Sequence, residues 1–334
     1  MKKATIADVA NKAKVSKSTV SQYLNKRYEY MGDGTRRRVE EAIYELDYKA
    51  NFVARSLKQK RTFTIGVIVA NILHTFSTQV IRAIEDVCNE QNIHVIVCNA
   101  DDEPEKEKKY VEMLRAKQTD GLIVFPTGGN KDLYREMVDE RYPLIFFDRH
   151  VEGLGIDTIL LDNEEAASLA VTHLIENGHR HIGMITTSLI RNITPRVERI
   201  KGYKKALRSY GIEPVKQFVK GLDVHEIEAG IVEMLSLKKP PTALFAGNDL
   251  TLMEILNFVK KHKVKIPESF ALISVDDVSF ANIYNPPITT ISQPAEEMGK
   301  KAAEILLEKI KNKEHVTNGQ IYRFSPTLIR RHSC

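Results

Sequence analysis

No apolar run in these 334 residues approaches the length of a membrane span; the strongest, Ile65 to Ala70, suits a buried strand. A spanning helix needs about 20 such residues, so none is expected. The start, Met1-Lys2-Lys3, leads into a polar helical pattern with no apolar stretch, which argues against a secretory signal. Cysteine is scarce: Cys88, Cys98 and Cys334 are an odd count without metal-ligand spacing, as expected of a reduced cytoplasmic protein. Enzyme signatures are missing as well. There is no G-x-S-x-G, H-E-x-x-H, G-x-x-x-x-G-K-S/T or G-x-G-x-x-G, and Gly128-Gly129-Asn130-Lys131 reads as a turn. His179 and His181 in "GHRHIG" stand at a strand entry, where turn roles outweigh a metal pair. A doubly wound nucleotide-dependent enzyme would need a glycine fingerprint after its first strand, where this chain has "VANILHTF". No enzyme, cofactor or metal is therefore expected.

What is present is an ordinary globular balance, 43% hydrophobic and 28% charged, over a length that suits roughly two domains. The net charge of +5 is unevenly spread. Residues 1–61 hold nine Lys and six Arg against seven acidic residues, a surplus of eight; the remainder, with 34 basic and 37 acidic residues, sits at −3. A compact basic head on a nearly neutral body is the electrostatic footprint of a DNA-binding module.

The head is periodic. Thr5 can cap a helix carrying Ile6, Val9, Ala10 and Ala13 on one face. After a break at Lys14-Val15, Ser16 can cap a second helix with Val20, Tyr23 and Leu24 inward and Lys17, Ser18, Thr19, Gln22 and Asn25 on its polar face. A third runs from about Thr35 to Asp47, with Arg36, Arg37 and Arg38 outward. Helix, tight turn and polar helix make a helix-turn-helix, whose second helix enters the major groove.

"ATIADVANKAKVSKSTVSQYLN" and "RRRVEEAIYELDYKANFVARSLK" resemble the head and hinge of the LacI/GalR family of bacterial transcription regulators. The resemblance implies DNA contacts from Thr5, Ser16, Lys17, Ser18, Thr19, Ser21, Gln22 and Asn25. Three departures matter. Lys14 replaces the family's usual turn glycine. Gln22 replaces its usual Arg, shifting the suited base from guanine to adenine. Gly32 replaces the cap of the third helix, leaving Asp33 to take over. Residues 50–61 form a hinge in which Asn51 can cap a short helix; spacing alone leaves it equally a plain linker. The resemblance adds Asn51 and Ala54 as contacts and makes Leu57 a wedge into the minor groove. Ala50 stands where the family usually has Pro.

From Thr64, continuous apolar strands alternate with amphipathic helices, the pattern of parallel sheets covered on both faces. "LIENGHRHIGMIT" restarts the pattern, so two lobes with a cleft are expected. "TIGVIVANI", "DGLIVFP", "PPTALFAGND" and "NPPITTISQP" resemble the family's core, which is similar to the type I periplasmic sugar-binding proteins. The fold expected is thus an all-α helix-turn-helix head, residues 1–49, and a two-lobed α/β body of doubly wound parallel sheets, residues 62–334. Lobe 1 would cover about 62–162 and 290–320, and lobe 2 about 163–289 and 321–334.

The resemblance carries the family's pocket onto Phe76, Asp148, Arg199, Asn248, Asp276 and Gln293, with Asp249 and Asp277 as caps or structural bonds and not ligands. Arg191 and Arg196, close to Arg199 in sequence, join the candidates; three arginines tilt the expected sugar-type effector towards a sugar acid. The stretch "KRYEYM" at 26–31 resembles regulators of ketodeoxygluconate use. The expected protein is a cytoplasmic repressor, homodimeric on a near-palindromic double-stranded DNA operator, with no membrane role. A dimer is expected because the chain stops at Arg330-Arg331-His332-Ser333-Cys334, without the leucine-repeat tail of tetrameric members. The rival reading is a sugar-binding protein feeding a transporter, which would require export.

Overall fold

The computed structural model describes residues 4–49, 61–312 and 319–334. The chain divides into two compact units, Met1–Thr62 and Phe63–Cys334.

The first unit holds helices α1 (Ile6–Ala13), α2 (Lys17–Leu24) and α3 (Asp33–Glu45). Thr5 and Asp8 form a reciprocal capping box at the start of α1, and the Ser16 hydroxyl accepts from Thr19 N at 3.0 Å to open α2. Between them Lys14 takes the left-handed conformation, φ 54°, and Val15 N donates back to Ala10 O. Val9, Ala10, Ala13, Val20, Val39 and Ala42 close over one another as the core. The cap of α3 is Gly32, without a side-chain bond. Asp33 lies inside the first turn, where its charge favours the helix dipole; it does not cap, and the helix begins two residues before the expected Thr35.

The second unit contains two six-stranded sheets. The first sheet runs β11 (Ile321–Phe324), β5 (Thr158–Leu161), β4 (Leu144–Phe147), β3 (Gly121–Val124), β1 (Thr64–Val69), β2 (His94–Asn99), all parallel. The second runs β12 (Thr327–Ile329), β10 (Thr289–Ser292), β9 (Ala271–Val275), β8 (Ala243–Ala246), β6 (Ile182–Thr187), β7 (Val219–Leu222). Among the described strands only β12 pairs antiparallel, on the edge. Buried β-branched and aliphatic runs such as those of β1 and β9 are what sheets covered on both faces require.

Eight helices flank these sheets: α4 (Thr75–Glu90), α5 (Pro104–Ala116), α6 (Lys131–Asp139), α7 (Asn163–Glu176), α8 (Thr194–Ser209), α9 (Ile227–Leu235), α10 (Asp249–His262) and α11 (Ala295–Lys311). Gly202 lets α8 lie on α7; a Cβ there would fall 2.4 Å from Glu164 O. The chain crosses between lobes three times, but later than expected at two points. β10 pairs with β9, so it belongs to lobe 2 and the return comes at Gln293-Pro294. β11 pairs with β5, so it belongs to lobe 1 and the last crossing is at Ser325-Pro326. Strand pairing decides membership, and these four-residue strands carry too little pattern to announce it.

Candidate functional site

In the head, α2 presents Lys17, Ser18 and Gln22 to solvent while Val20 is fully buried beneath them. None of the three is bonded to another side chain among the described residues, so their polar groups are free for a ligand. The remaining candidates are partly spent. Asn25 donates to Ser21 O at 2.7 Å, the Ser16 and Thr19 hydroxyls share a 2.9 Å bond, and Thr5 is held by Asp8. The three arginines of α3 are exposed, as expected, but two of them are engaged within the head. Arg36 stacks on the Tyr28 ring at 4.2 Å, and Arg38 caps α1 through Ala13 O at 3.3 Å; Arg37 alone stands open. Tyr28, from the "KRYEYM" stretch, also meets Tyr23 edge-on at 5.8 Å and so serves the packing of the head. Asn51, Ala54 and Leu57 lie outside the described residues.

In the body, a cleft opens where the carboxyl ends of both sheets face each other. Such strand ends are where open α/β sheets bind ligands. Lobe 1 supplies Asn71 after β1, Phe76 on α4 and Asp148 and Arg149 after β4. Lobe 2 supplies Arg196 and Arg199 on α8, Asn248 before α10 and Asp276 after β9; Gln293 stands at the return crossing. The two aspartates are counterparts. Each ends a central strand and each takes a left-handed backbone, φ 61° at Asp148 and 78° at Asp276. Strain of this kind persists where the surroundings hold it, and clusters at ligand clamps.

Burial pushes the carboxyls of Asp148 and Asp276 up from the ordinary value; Arg149 and Arg199 oppose the shift at Asp148, while Asp249 adds to it at Asp276. Gln293 donates to Asp276 at 2.5 Å, leaving its own buried oxygen without a partner. Arg199, 5% exposed, is fixed by Asn163 Oδ1 at 2.9 Å and Gly247 O at 2.6 Å. Arg196 donates to Ser188 O at 2.7 Å and reaches Asp102 at 3.3 Å; burial, then the neighbouring Arg149, bring its pKa down to about 10. Phe76 lies on the aromatic group formed with Phe147 and Phe125.

One expectation is corrected here. Arg191 is exposed, turned out by a left-handed φ of 70°, and donates to Asp102 O; it does not line the cleft. Asn248 caps α10, its oxygen accepting from Thr251 N at 2.9 Å. Asp249 makes structural bonds, spanning the lobes to His74 Nδ1 at 2.5 Å and Thr75 N at 2.7 Å. Asp277 is structural as expected, bound to Thr290 and Arg331. The sequence reading missed Arg149 and Asp102 as partners. Arg149 follows Asp148 directly, which was the available signal. His179 bonds Thr242, and no described group of His, Cys, Asp and Glu could hold a metal. No described helix is long and apolar enough to cross a membrane.

Comparison with known proteins places the geometry in context. Residues 5–51 match the lacI family of bacterial regulatory proteins, and residues 171–334 a periplasmic binding protein-like domain. The chain is 49% identical to a probable HTH-type transcriptional regulator, EndR, of Paenibacillus polymyxa, over 98% of each chain. It is 34% identical to the HTH-type transcriptional repressor PurR of Aliivibrio salmonicida (strain LFI1238), over 99% of this chain and 98% of that one. Its fold resembles the lac repressor dimer bound to operator and the anti-inducer ONPF, with a TM-score of 0.85 and 25% identity over 99% of each chain.

Proposed function

The chain belongs to the lacI family of bacterial regulatory proteins, a DNA-binding transcriptional regulator, and from that premise we propose how it works. It acts as a homodimeric cytoplasmic repressor on a near-palindromic operator, with α2 of each head in a major groove. Lys17, Ser18 and Gln22 approach base edges; Gln22 suits adenine through N6 and N7. Arg37 lies near phosphate, and Leu57, with Asn51 and Ala54, serves the minor groove.

The body takes a sugar-type effector in the cleft. The observation that carries this reading is the facing pair Asp148 and Asp276, with Arg199, Asn248 and Gln293 beside them and Phe76 below. Paired acceptors and donors of this kind suit vicinal hydroxyls, and the ring suits a sugar's apolar face. An effector that touches both lobes favours the closed arrangement, and operator affinity changes by the same coupling free energy. A sugar acid is the second reading. It rests on the presence of Arg149, Arg196 and Arg199 in the cleft lining, and it requires a guanidinium that Asp102 does not already hold.

The test is titration of the full-length protein with neutral sugars and their uronic acids, followed by operator affinity at fixed salt. A ligand that binds the cleft is expected to shift operator affinity by about 5–150-fold. Tight cleft binding that leaves operator affinity unmoved would rule out effector control.

A further inference from the structure

We propose that Asp102 is the cleft's internal counter-anion: by holding Arg149 and Arg196 in one ion cluster across the lobes, it makes the site selective for uncharged ligands. The proposal deepens the effector reading above and rests on it.

Asp102 sits in the loop between β2 and α5. Its backbone is left-handed, φ 57°, and its N–H donates to Ala70 O at 2.7 Å, which hangs the loop on the end of β1. Its Oδ1 lies 2.6 Å from Arg149 Nη1 in lobe 1, and its Oδ2 lies 3.3 Å from Arg196 Nη2 in lobe 2. Arg191 adds a 2.8 Å bond to the Asp102 carbonyl. Three arginines from both lobes thus converge on one aspartate. Asp102 stands at the margin, outside the lining, so it draws the two guanidiniums away from a ligand.

Charge counting shows what this does. In their ionised forms, Arg149, Arg196 and Arg199 face Asp102, Asp148 and Asp276, while His74 pairs with Asp249. Arg191, exposed and bound to the Asp102 backbone carbonyl, stands outside this count, and the buried groups balance as they stand. An uncharged polyhydroxyl ligand keeps them so. An acidic ligand adds one buried charge without a counterpart, which is expensive in a low-dielectric site. Removing the Asp102 charge leaves one cation in surplus, and an acid then restores the balance. The pairing is also imperfect: the buried Asp102 Oδ1 and Arg149 Nε both lack a well-directed hydrogen bond, so Arg149, with only 6% of its side chain exposed, retains a donor for another acceptor.

The experiment compares the full-length protein with Asp102→Asn, which keeps the side-chain shape, and with Asp102→Ser in case the amide packs poorly. Thermal unfolding and calorimetric titration at constant ionic strength use inorganic phosphate, galacturonate and galactose as probes. The wild type should gain no stability from phosphate beyond that from chloride and should bind galacturonate no more tightly than galactose. Both variants should bind phosphate and galacturonate at least tenfold more tightly than the wild type, and adding Arg196→Gln should abolish the gain. Equal acid binding in variants and wild type would overturn the proposal, as would a gain that survives Arg196→Gln, or a wild type that prefers galacturonate. If no sugar binds any form, the sugar reading fails, while the phosphate comparison still decides the role of Asp102.

Discussion

His74 Nδ1 and Asp249 Oδ1 meet at 2.5 Å across the cleft, one from the start of α4 in lobe 1 and the other from the first turn of α10 in lobe 2. Burial lowers the affinity of His74 for its proton, but the Asp249 hydrogen bond and charge outweigh it, so its pKa stands above the ordinary value. Asp249 moves the opposite way: burial acts against its charge, and the bonds from His74, Thr75 N and Leu250 N overcome that. The pair is therefore a charged clasp between the lobes.

The clasp gives a pH dependence. The other charges acting on His74 are Asp276, which supports its proton, and Arg149, which opposes it; Asp102 and Asp148 also face it. Because the folded pKa is raised, the stabilisation is complete below the ordinary value of about 6.5 and is lost as pH rises through the raised value. Unfolding midpoints measured from pH 5.5 to 8.5 should fall more steeply with pH in the wild type than in His74→Asn. At pH 6 the variant should lose about 1.5–3 kcal/mol, the range for a hydrogen bond to a charged group. Parallel pH profiles would remove the clasp as a titrating element.

Gln22→Ala should leave the head folded, since Gln22 is exposed and the core lies on the opposite side of α2. Operator binding should weaken by about 1–3 kcal/mol, and base preference should relax at one position of each half-site. Competition among operators varied at every base pair measures this. An equal loss on all sequences would assign Gln22 to the backbone instead of a base.

Lys14→Gly should stabilise the head. Lys14 holds φ 54° and ψ 48° at the end of α1, a conformation that glycine adopts without steric cost. The gain expected is on the order of 1 kcal/mol, the cost of a left-handed L-residue less the extra chain entropy of glycine, read as slower amide exchange at Val9, Val20 and Val39. Unchanged exchange would mean that the lysine is unstrained there.

Much of this was legible from residue order because the head and the long helices carry a 3.6-residue period with capping residues at Thr5 and Ser16. The edge strands β7, β11 and β12 were not, since they are only partly buried and break the continuous apolar run that marked the equally short β3, β4 and β8. In the cleft, Arg196 and Arg199 are three apart on α8 and share a face. Arg191, equally near in sequence, precedes the helix with a left-handed backbone and points away; nothing in its neighbours announces that turn. The Asp102–Arg149 contact joins loops 47 positions apart, which local pattern does not reach.

The facing aspartates should trade stability against binding. Burial raises the Asp148 carboxyl above its ordinary pKa, with Arg149, Arg199, His74 and Arg196 acting against the shift without cancelling it. A carboxyl shifted this way binds more protons folded than unfolded, so its penalty grows as pH rises from the ordinary value near 3.9 through the raised one. Asp148→Asn removes that penalty. Its unfolding midpoint should exceed the wild type at pH 7 and converge with it near pH 4. The amide also replaces one acceptor oxygen with a donor, so a polyhydroxyl ligand should bind roughly tenfold to a hundredfold more weakly, matching the loss of one charged hydrogen bond. Both halves are measurable on one preparation, by thermal unfolding across pH and by titration with the effector found in the sugar panel. A variant that loses stability at pH 7 would show that the arginines around Asp148 need its charge more than burial penalises it.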